Sequence, residues 1–266
     1  MRANQLIIVK YLYENVMKSI ATAILLLFAS VSSAEKQIDR DTYNLVSDTY
    51  PPYEYIEDGR IIGMDVEILE VMAKNAAITI SVKFVPWKRA MAMAKNGIAD
   101  GIFSMAHSIK REKIVYFPPV PLSFGKQRIF ANNNFKGDIV KVDDLENRKV
   151  GAVNGNRYGN EFDDYTGHIL EYSHGPEMLF RKLAANRHLF SIENEFVAAH
   201  TIKKLKLKGI RPLSYISDEP AYYIGVSKSA RRAQHFLEIV NKTLFDMKHS
   251  GELDEIRRKY HKLFHL

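Results

Sequence analysis

The chain of 266 residues contains no cysteine. That excludes disulfides, a thiol nucleophile and a thiolate metal site, and it leaves no thiol for a lipid near the amino terminus. Tryptophan is almost absent as well: Trp87 is the only one. There is no phosphate loop, no G-x-G-x-x-G turn, no G-x-S-x-G elbow and no H-E-x-x-H pair. The sequence signatures of nucleotide binding, esterase chemistry and zinc hydrolysis are therefore missing. Nine histidines are scattered and read as isolated surface residues, so neither a metal nor another cofactor is expected. Asp143-Asp144 and Asp163-Asp164 are adjacent pairs whose side chains diverge, which suits solvated loops better than an acid–base couple. No apolar run reaches the ~20 residues that span a bilayer. Charge of one sign is in short supply too. The 38 Lys and Arg against 31 Asp and Glu give +7, and setting aside Arg2, Lys10, Lys18 and Glu14 in the first 34 residues leaves +5. A surplus that small, with no basic stripe among exposed aromatics, argues against a nucleic-acid partner.

What is present begins with an address. Lys18 precedes an apolar run over 20–31, and the segment closes on Ser32-Ser33-Ala34-Glu35. This is the charged, apolar and small-residue order of a secretory signal, with cleavage expected after Ala34 and a signal peptide over 1–34. Glu14 and Asn15 sit immediately ahead of a signal that is complete from Met17, so Met17 is the expected functional start. The mature protein is expected in the periplasm, free of a lipid anchor.

The mature chain alternates strands and helices. A strand over 43–47 enters the loop Asp48-Thr49-Tyr50-Pro51-Pro52-Tyr53, where two prolines stop any helix. Residues 65–74 place Val66, Leu69 and Ala73 on one helical face, and 78–84 alternate apolar and polar as a strand does. A helix over 90–95 stops at Asn96-Gly97, and 101–103 is a short buried strand. The second half repeats the rhythm: strand 149–153, helix 176–185, strand 189–192, helix 195–205 and strand 221–226. Lys203, Lys204, Lys206 and Lys208 fall at that last helix's carboxyl end, where cations are favoured. A long helix carrying Ala233, Phe236, Leu237, Val240 and Leu244 follows, then a shorter one after Gly251. Right-handed crossovers make such a rhythm an α/β protein of mostly parallel sheets, with a ligand cleft between two units.

Several ordered motifs carry a resemblance: Tyr50-Pro51-Pro52-Tyr53-Glu54-Tyr55, Asp58-Gly59, then Gly63-Met64-Asp65-Val66-Glu67. Trp87, Asn96-Gly97-Ile98-Ala99-Asp100, Arg111-Glu112-Lys113 and Tyr116-Phe117-Pro118 continue it, and Asp144-Leu145-Glu146 through Lys149-Val150-Gly151 and Asn241-Lys242-Thr243-Leu244 complete it. In this order they resemble periplasmic solute-binding protein family 3, the amino-acid-binding proteins of ABC importers. The resemblance implies a two-lobed type 2 periplasmic-binding fold with two hinge crossovers, near 127–130 and 222–224. It assigns 35–126 plus 223–266 to one lobe and 127–222 to the other. It also implies a monomer that closes on a small carboxylate-bearing ligand and hands it to an inner-membrane ABC permease.

The resemblance carries site expectations residue by residue. Arg111 stands where the family pairs a guanidinium with the ligand carboxylate, a bidentate match that stays charged when half-buried. Tyr50, Tyr53 and Trp87 stand at cleft aromatics, and Ser104 at a backbone-and-hydroxyl contact. Asp65 is read as a helix N-cap and Asp100 as a loop brace. Three departures stand out. Ala106 and His107 replace the threonine ahead of the arginine, and Asn154-Gly155-Asn156-Arg157 replaces a Gly-Thr loop, making Asn156 the candidate there. The aspartate that holds an ammonium becomes Asn194, or Glu193 if the register slips by one. Two other functions fit the same fold: a dehydratase-like enzyme using Glu193 or Glu195 as general acid, and a sensing module read by a membrane partner.

Overall fold

A computed structural model of the protein describes residues 42–264; the expected signal peptide lies outside the described residues. Among the described residues no helix is long and apolar enough to cross a membrane. Thirteen strands and eight α-helices alternate among the described residues.

The first sheet draws on β1 (Thr42–Ser47), β4 (Thr79–Phe84), β5 (Gly101–Ala106), β6 (Val115–Tyr116), β7 (Ser123–Phe124) and β13 (Ala221–Ser227). Its order is β4-β1-β5-β13-β6, with β7 also on β13. A small hairpin, β2 (Tyr55–Glu57) and β3 (Arg60–Ile62), turns at Asp58-Gly59 beside it. Helices α1 (Met64–Asn75), α2 (Trp87–Lys95), the one-turn α3 (Ile109–Glu112), α7 (Ala233–Ser250) and α8 (Glu252–Phe264) belong to the same half of the chain's topology. The second sheet holds β8 (Gln127–Asn132), β9 (Lys149–Val153), β10 (Ile169–Ser173), β11 (Phe190–Asn194) and β12 (Ile210–Asp218), in the order β10-β9-β11-β8-β12. Helices α4 (Asn160–Asp163), α5 (Pro176–Ala184) and α6 (Glu195–Lys204) complete it.

The alternation read from the sequence is what buries each face. In β4, Ile80, Val82 and Phe84 turn inward while Thr79, Ser81 and Lys83 are exposed. Along α7 the residues Ala233, Phe236, Val240 and Leu244 are buried, and Phe236 stacks on Tyr43 of β1 with ring centroids 4.1 Å apart. Under the second sheet, Phe130 and Phe180 meet edge to face at 5.5 Å. Strand β1 runs parallel to β5, and β9 runs parallel to both β10 and β11. One strand in each sheet runs antiparallel to its neighbours, β13 in the first and β8 in the second. These are the strands that enter from the other sheet. The chain crosses at Gly125-Lys126, between β7 and β8, and at Glu219-Pro220, between β12 and β13. A backbone bond from Gly125 N–H to the Pro220 carbonyl, 2.8 Å, ties the two crossings together.

Two sequence expectations are corrected, and one strand is unanticipated. Asp65 does not cap α1: the N-cap is Gly63, without a side-chain cap, and Asp65 lies buried inside the first turn. His188 is not a surface residue; it is 3% exposed and 2.9 Å from the Ser191 hydroxyl. Strand β12 is not apparent in the sequence because Pro212 and two register shifts interrupt its pattern, which a sheet edge tolerates. Asp100 does brace a loop, accepting from Asn44 N–H at 2.8 Å.

Candidate ligand-binding site

The loop after β1 is shaped by backbone bonds. Tyr50 N–H donates to the Glu54 carbonyl at 2.7 Å, and Tyr53 N–H to the Tyr50 carbonyl at 2.8 Å. The first turn of α1 continues this, with Met64 and Asp65 N–H groups on the Pro52 and Tyr53 carbonyls. Gly63 makes that approach possible: its φ is +135°, and a Cβ there would lie 2.2 Å from the Tyr53 carbonyl oxygen. The result is a pair of stacked phenols, Tyr50 and Tyr53, with centroids 5.4 Å apart and planes 9° from parallel. Tyr222 of β13 meets both rings edge-on, at 6.3 and 5.1 Å.

Asn194 ends β11 beside these tyrosines and is fully buried. Its Oδ1 accepts from the Phe196 and Val197 N–H groups at 3.0 and 3.3 Å, which caps α6. The Tyr53 hydroxyl lies 3.2 Å from the same oxygen and 3.0 Å from the Phe124 carbonyl, and Asn194 Nδ2 donates to the Tyr222 hydroxyl at 3.3 Å. Both ends of the carboxamide are therefore engaged. Its neighbour Glu193 is not. Glu193 is 1% exposed; Oε1 accepts from Asn194 N–H at 2.9 Å, and buried Oε2 has no hydrogen-bond partner among the described residues. Burial pushes its carboxyl up to about 7. Its charge in turn helps raise the phenols of Tyr50, Tyr158 and Tyr222, where burial is the larger cause. Arg128, directly opposite on β8, turns instead to Glu195, 3.4 Å away.

Trp87 and Arg111 form a second group. The Trp87 N–H donates to Asp48 Oδ2 at 3.1 Å. Arg111 rides on α3, whose N-cap Ser108 accepts from the Arg111 N–H at 3.3 Å. The guanidinium carbon sits 5.2 Å from the Trp87 ring centroid, and Nη1 donates to the Ala106 carbonyl at 2.5 Å. No carboxylate among the described residues pairs with it, and partial burial lowers its affinity for its proton. A half-buried guanidinium with its remaining N–H donors open is suited to an incoming carboxylate.

Ser104 is engaged elsewhere. It holds a left-handed φ of 55°, and its hydroxyl lies 2.5 Å from both Glu54 Oε2 and Asp65 Oδ2. One hydroxyl donates one hydrogen, so at least one of these carboxyls carries a proton of its own. Burial, then the charge of Asp65, pushes Glu54 well above the usual carboxylate range, and burial pushes Asp65 up to about 6. Asn156 lies on the exposed loop after β9, two residues before the buried Tyr158. The Tyr158 hydroxyl accepts from Val153 N–H at 2.8 Å.

The structure thus gathers Tyr50, Tyr53, Glu193 and Asn194 into one cluster and Trp87 with Arg111 into another. Tyr158 and Tyr222 complete the first, and sequence reasoning missed both in that role. Tyr222 is named there only as a crossover, and Tyr158 directly follows the Asn154-Gly155-Asn156-Arg157 loop that drew attention.

Fold and site together define a two-lobed α/β binding protein of the type 2 periplasmic-binding class. The sequence profile of bacterial extracellular solute-binding proteins, family 3, matches residues 44–263, and the chain belongs to that family. The probable amino-acid-binding protein YxeM of Bacillus subtilis is 26% identical over 216 residues, 79% of each chain. The arginine-binding extracellular protein ArtP of the same organism is 26% identical over 216 residues, 79% of this chain and 82% of that one. Among solved structures, an ancestral arginine-binding protein bound to arginine has a TM-score of 0.68 at 23% identity, covering 83% of this chain and 98% of that one. A histidine kinase sensor domain with similarity to periplasmic binding proteins also reaches 0.68, at 22% identity, over 82% and 95% of the two chains. At these identities the structures speak for the fold. The family is one of binding proteins, and this chain is a binding protein rather than an enzyme.

Proposed function

We propose that the protein is a periplasmic receptor that captures a small, carboxylate-bearing polar ligand, an amino acid or a close analogue, for an inner-membrane ABC importer by hinge closure. The observation that carries this reading is Arg111: half-buried, over Trp87, with no carboxylate partner among the described residues. In this reading Arg111 receives the ligand carboxylate. Glu193 receives the ligand's cationic end, among the faces of Tyr50, Tyr158 and Tyr222. The engaged carboxamide of Asn194 favours Glu193 over Asn194 for that role. Ser104, its hydroxyl held by Glu54 and Asp65, offers the ligand only its backbone. Asn156 reaches the ligand from its exposed loop, Trp87 covers the carboxylate end, and Tyr53 supports Tyr50 from behind.

The lobes of this proposal follow the two sheets. In this reading the second boundary lies at the Glu219-Pro220 crossing, which the pairing of β13 within the first sheet from Ala221 onward supports. The test is a thermal-shift and calorimetric screen of the mature protein against amino acids, amines and small organic acids. Mass spectrometry of any co-purified metabolite accompanies it. A carboxylate-bearing compound should stabilise the protein. The proposal fails if no compound does and the purified protein carries no metabolite.

A further inference from the structure

A cavity of about 520 Å³ opens beside the two crossings, and of the expected site residues only Tyr53 lines it. Its floor is apolar: Tyr53, Met64, Phe124 and Phe196. Phe124 is 50% exposed, an unusual state for a phenylalanine, and the Arg257 guanidinium lies 4.9 Å from its ring centroid. The charged rim is unbalanced. Glu195 is paired with Arg128 at 3.4 Å, and Glu219 with Lys126 at 3.8 Å. Arg257 is engaged by the Pro121 and Leu122 carbonyls at 2.5 and 2.9 Å and by Asp254 at 3.1 Å. Arg258 differs. It is exposed, its Nε reaches the Asp254 carbonyl at 3.2 Å, and no carboxylate among the described residues pairs with it.

We propose that this cavity is a second ligand site, selective for a small monoanion with an aromatic or branched apolar body, and that its occupancy biases the hinge. The volume falls within the range of small-molecule pockets, and the floor supplies the apolar contact. Both rim acids have a cation nearby, whereas the guanidinium of Arg258 has no carboxylate partner among the described residues, and this charge selects an anion. The hinge bias follows from the lining. Lys126 and Glu219 belong to the two crossings, Phe196 to a helix on the second sheet, and Met64 and Arg258 to helices of the first. A ligand touching all of them stabilises the arrangement it touches, and by linkage it alters affinity in the cleft while the cleft ligand alters its own.

The probe is 8-anilinonaphthalene-1-sulfonate, an aromatic monoanion, titrated into the folded mature protein and followed by its fluorescence. Saturable one-site binding is expected. Arg258→Glu should weaken it about tenfold or more, and the uncharged relative N-phenyl-1-naphthylamine should bind at least about tenfold more weakly. Phe124→Ser, on the apolar floor, gives an independent second variant with the same expectation; circular dichroism confirms that each variant is folded. The proposal is overturned if the sulfonate does not bind, or if folded Arg258→Glu and Phe124→Ser proteins bind it unchanged. It is equally overturned if binding is lost in Arg111→Ala but kept in Arg258→Glu, which would place the probe in the cleft.

Discussion

In the proposed cleft Glu193 and Arg111 each keep hydrogen-bonding groups open among the described residues, and each makes a measurable commitment. An ordinary glutamate titrates near 4.5, whereas burial moves Glu193 to about 7. Between those values the folded protein holds a proton that the unfolded chain has released. Stability therefore falls as pH rises from about 4.5 to about 7 and is flat in this respect above that, a loss on the order of 3 kcal/mol. Glu193→Gln keeps the acceptor for Asn194 N–H and removes the ionisation. The variant should be more stable than the parent at pH 8 and indistinguishable at pH 4, in urea unfolding at both. Binding carries the opposite sign. A cationic ligand group pairs with the ionised carboxylate, so affinity should increase from pH 6 to pH 8 and lose that dependence in Glu193→Gln, by calorimetry. At the other end, Arg111→Ala should weaken a carboxylate ligand by about a hundredfold, in line with truncating one partner of a half-buried charge pair. Sequence alone left Glu193 and Asn194 as alternatives because neighbouring residues at a strand end point to opposite faces. The α6 cap engages Asn194 and leaves Glu193 Oε2 without a hydrogen-bond partner among the described residues, which supports Glu193 in the proposed role.

Elements with a clean period were legible; those defined by distant pairing were not. Strand β4 alternates strictly, and α7 carries a full apolar stripe, so both are readable from local pattern. Strand β12 carries an internal proline and two register shifts after it, and it pairs only with β8. Tyr158 and Tyr222 stayed hidden as site residues because 64 positions separate them, and only the tertiary fold brings them to Tyr50 and Glu193. Two substitutions test the packing. Phe236→Ala removes the ring stacked on Tyr43 in the first core and should cost about 3–5 kcal/mol in chemical unfolding. Gly125→Ala should destabilise by about 1–3 kcal/mol, because its Cβ would lie 2.4 Å from Asn194 Nδ2 and 2.8 Å from the Tyr222 hydroxyl. That clash falls on the crossing itself, so the variant should also bind the cleft ligand more weakly than its lost stability alone explains.

Among the described residues the two large sheets are joined by two short crossings, and the proposed work of the molecule is to close them on a ligand. Its sole tryptophan lies under the proposed carboxylate anchor, 5.2 Å from the Arg111 guanidinium carbon, so Trp87 emission reports directly on that end of the site. The decisive measurement is a fluorescence titration of the mature protein with the ligand found by screening, in parent and Arg111→Ala forms. A saturable, one-site change in Trp87 emission whose midpoint moves about a hundredfold higher in folded Arg111→Ala is the predicted result. An unchanged titration in Arg111→Ala, or no saturable response from the parent to any amino acid, amine or small organic acid, would contradict it.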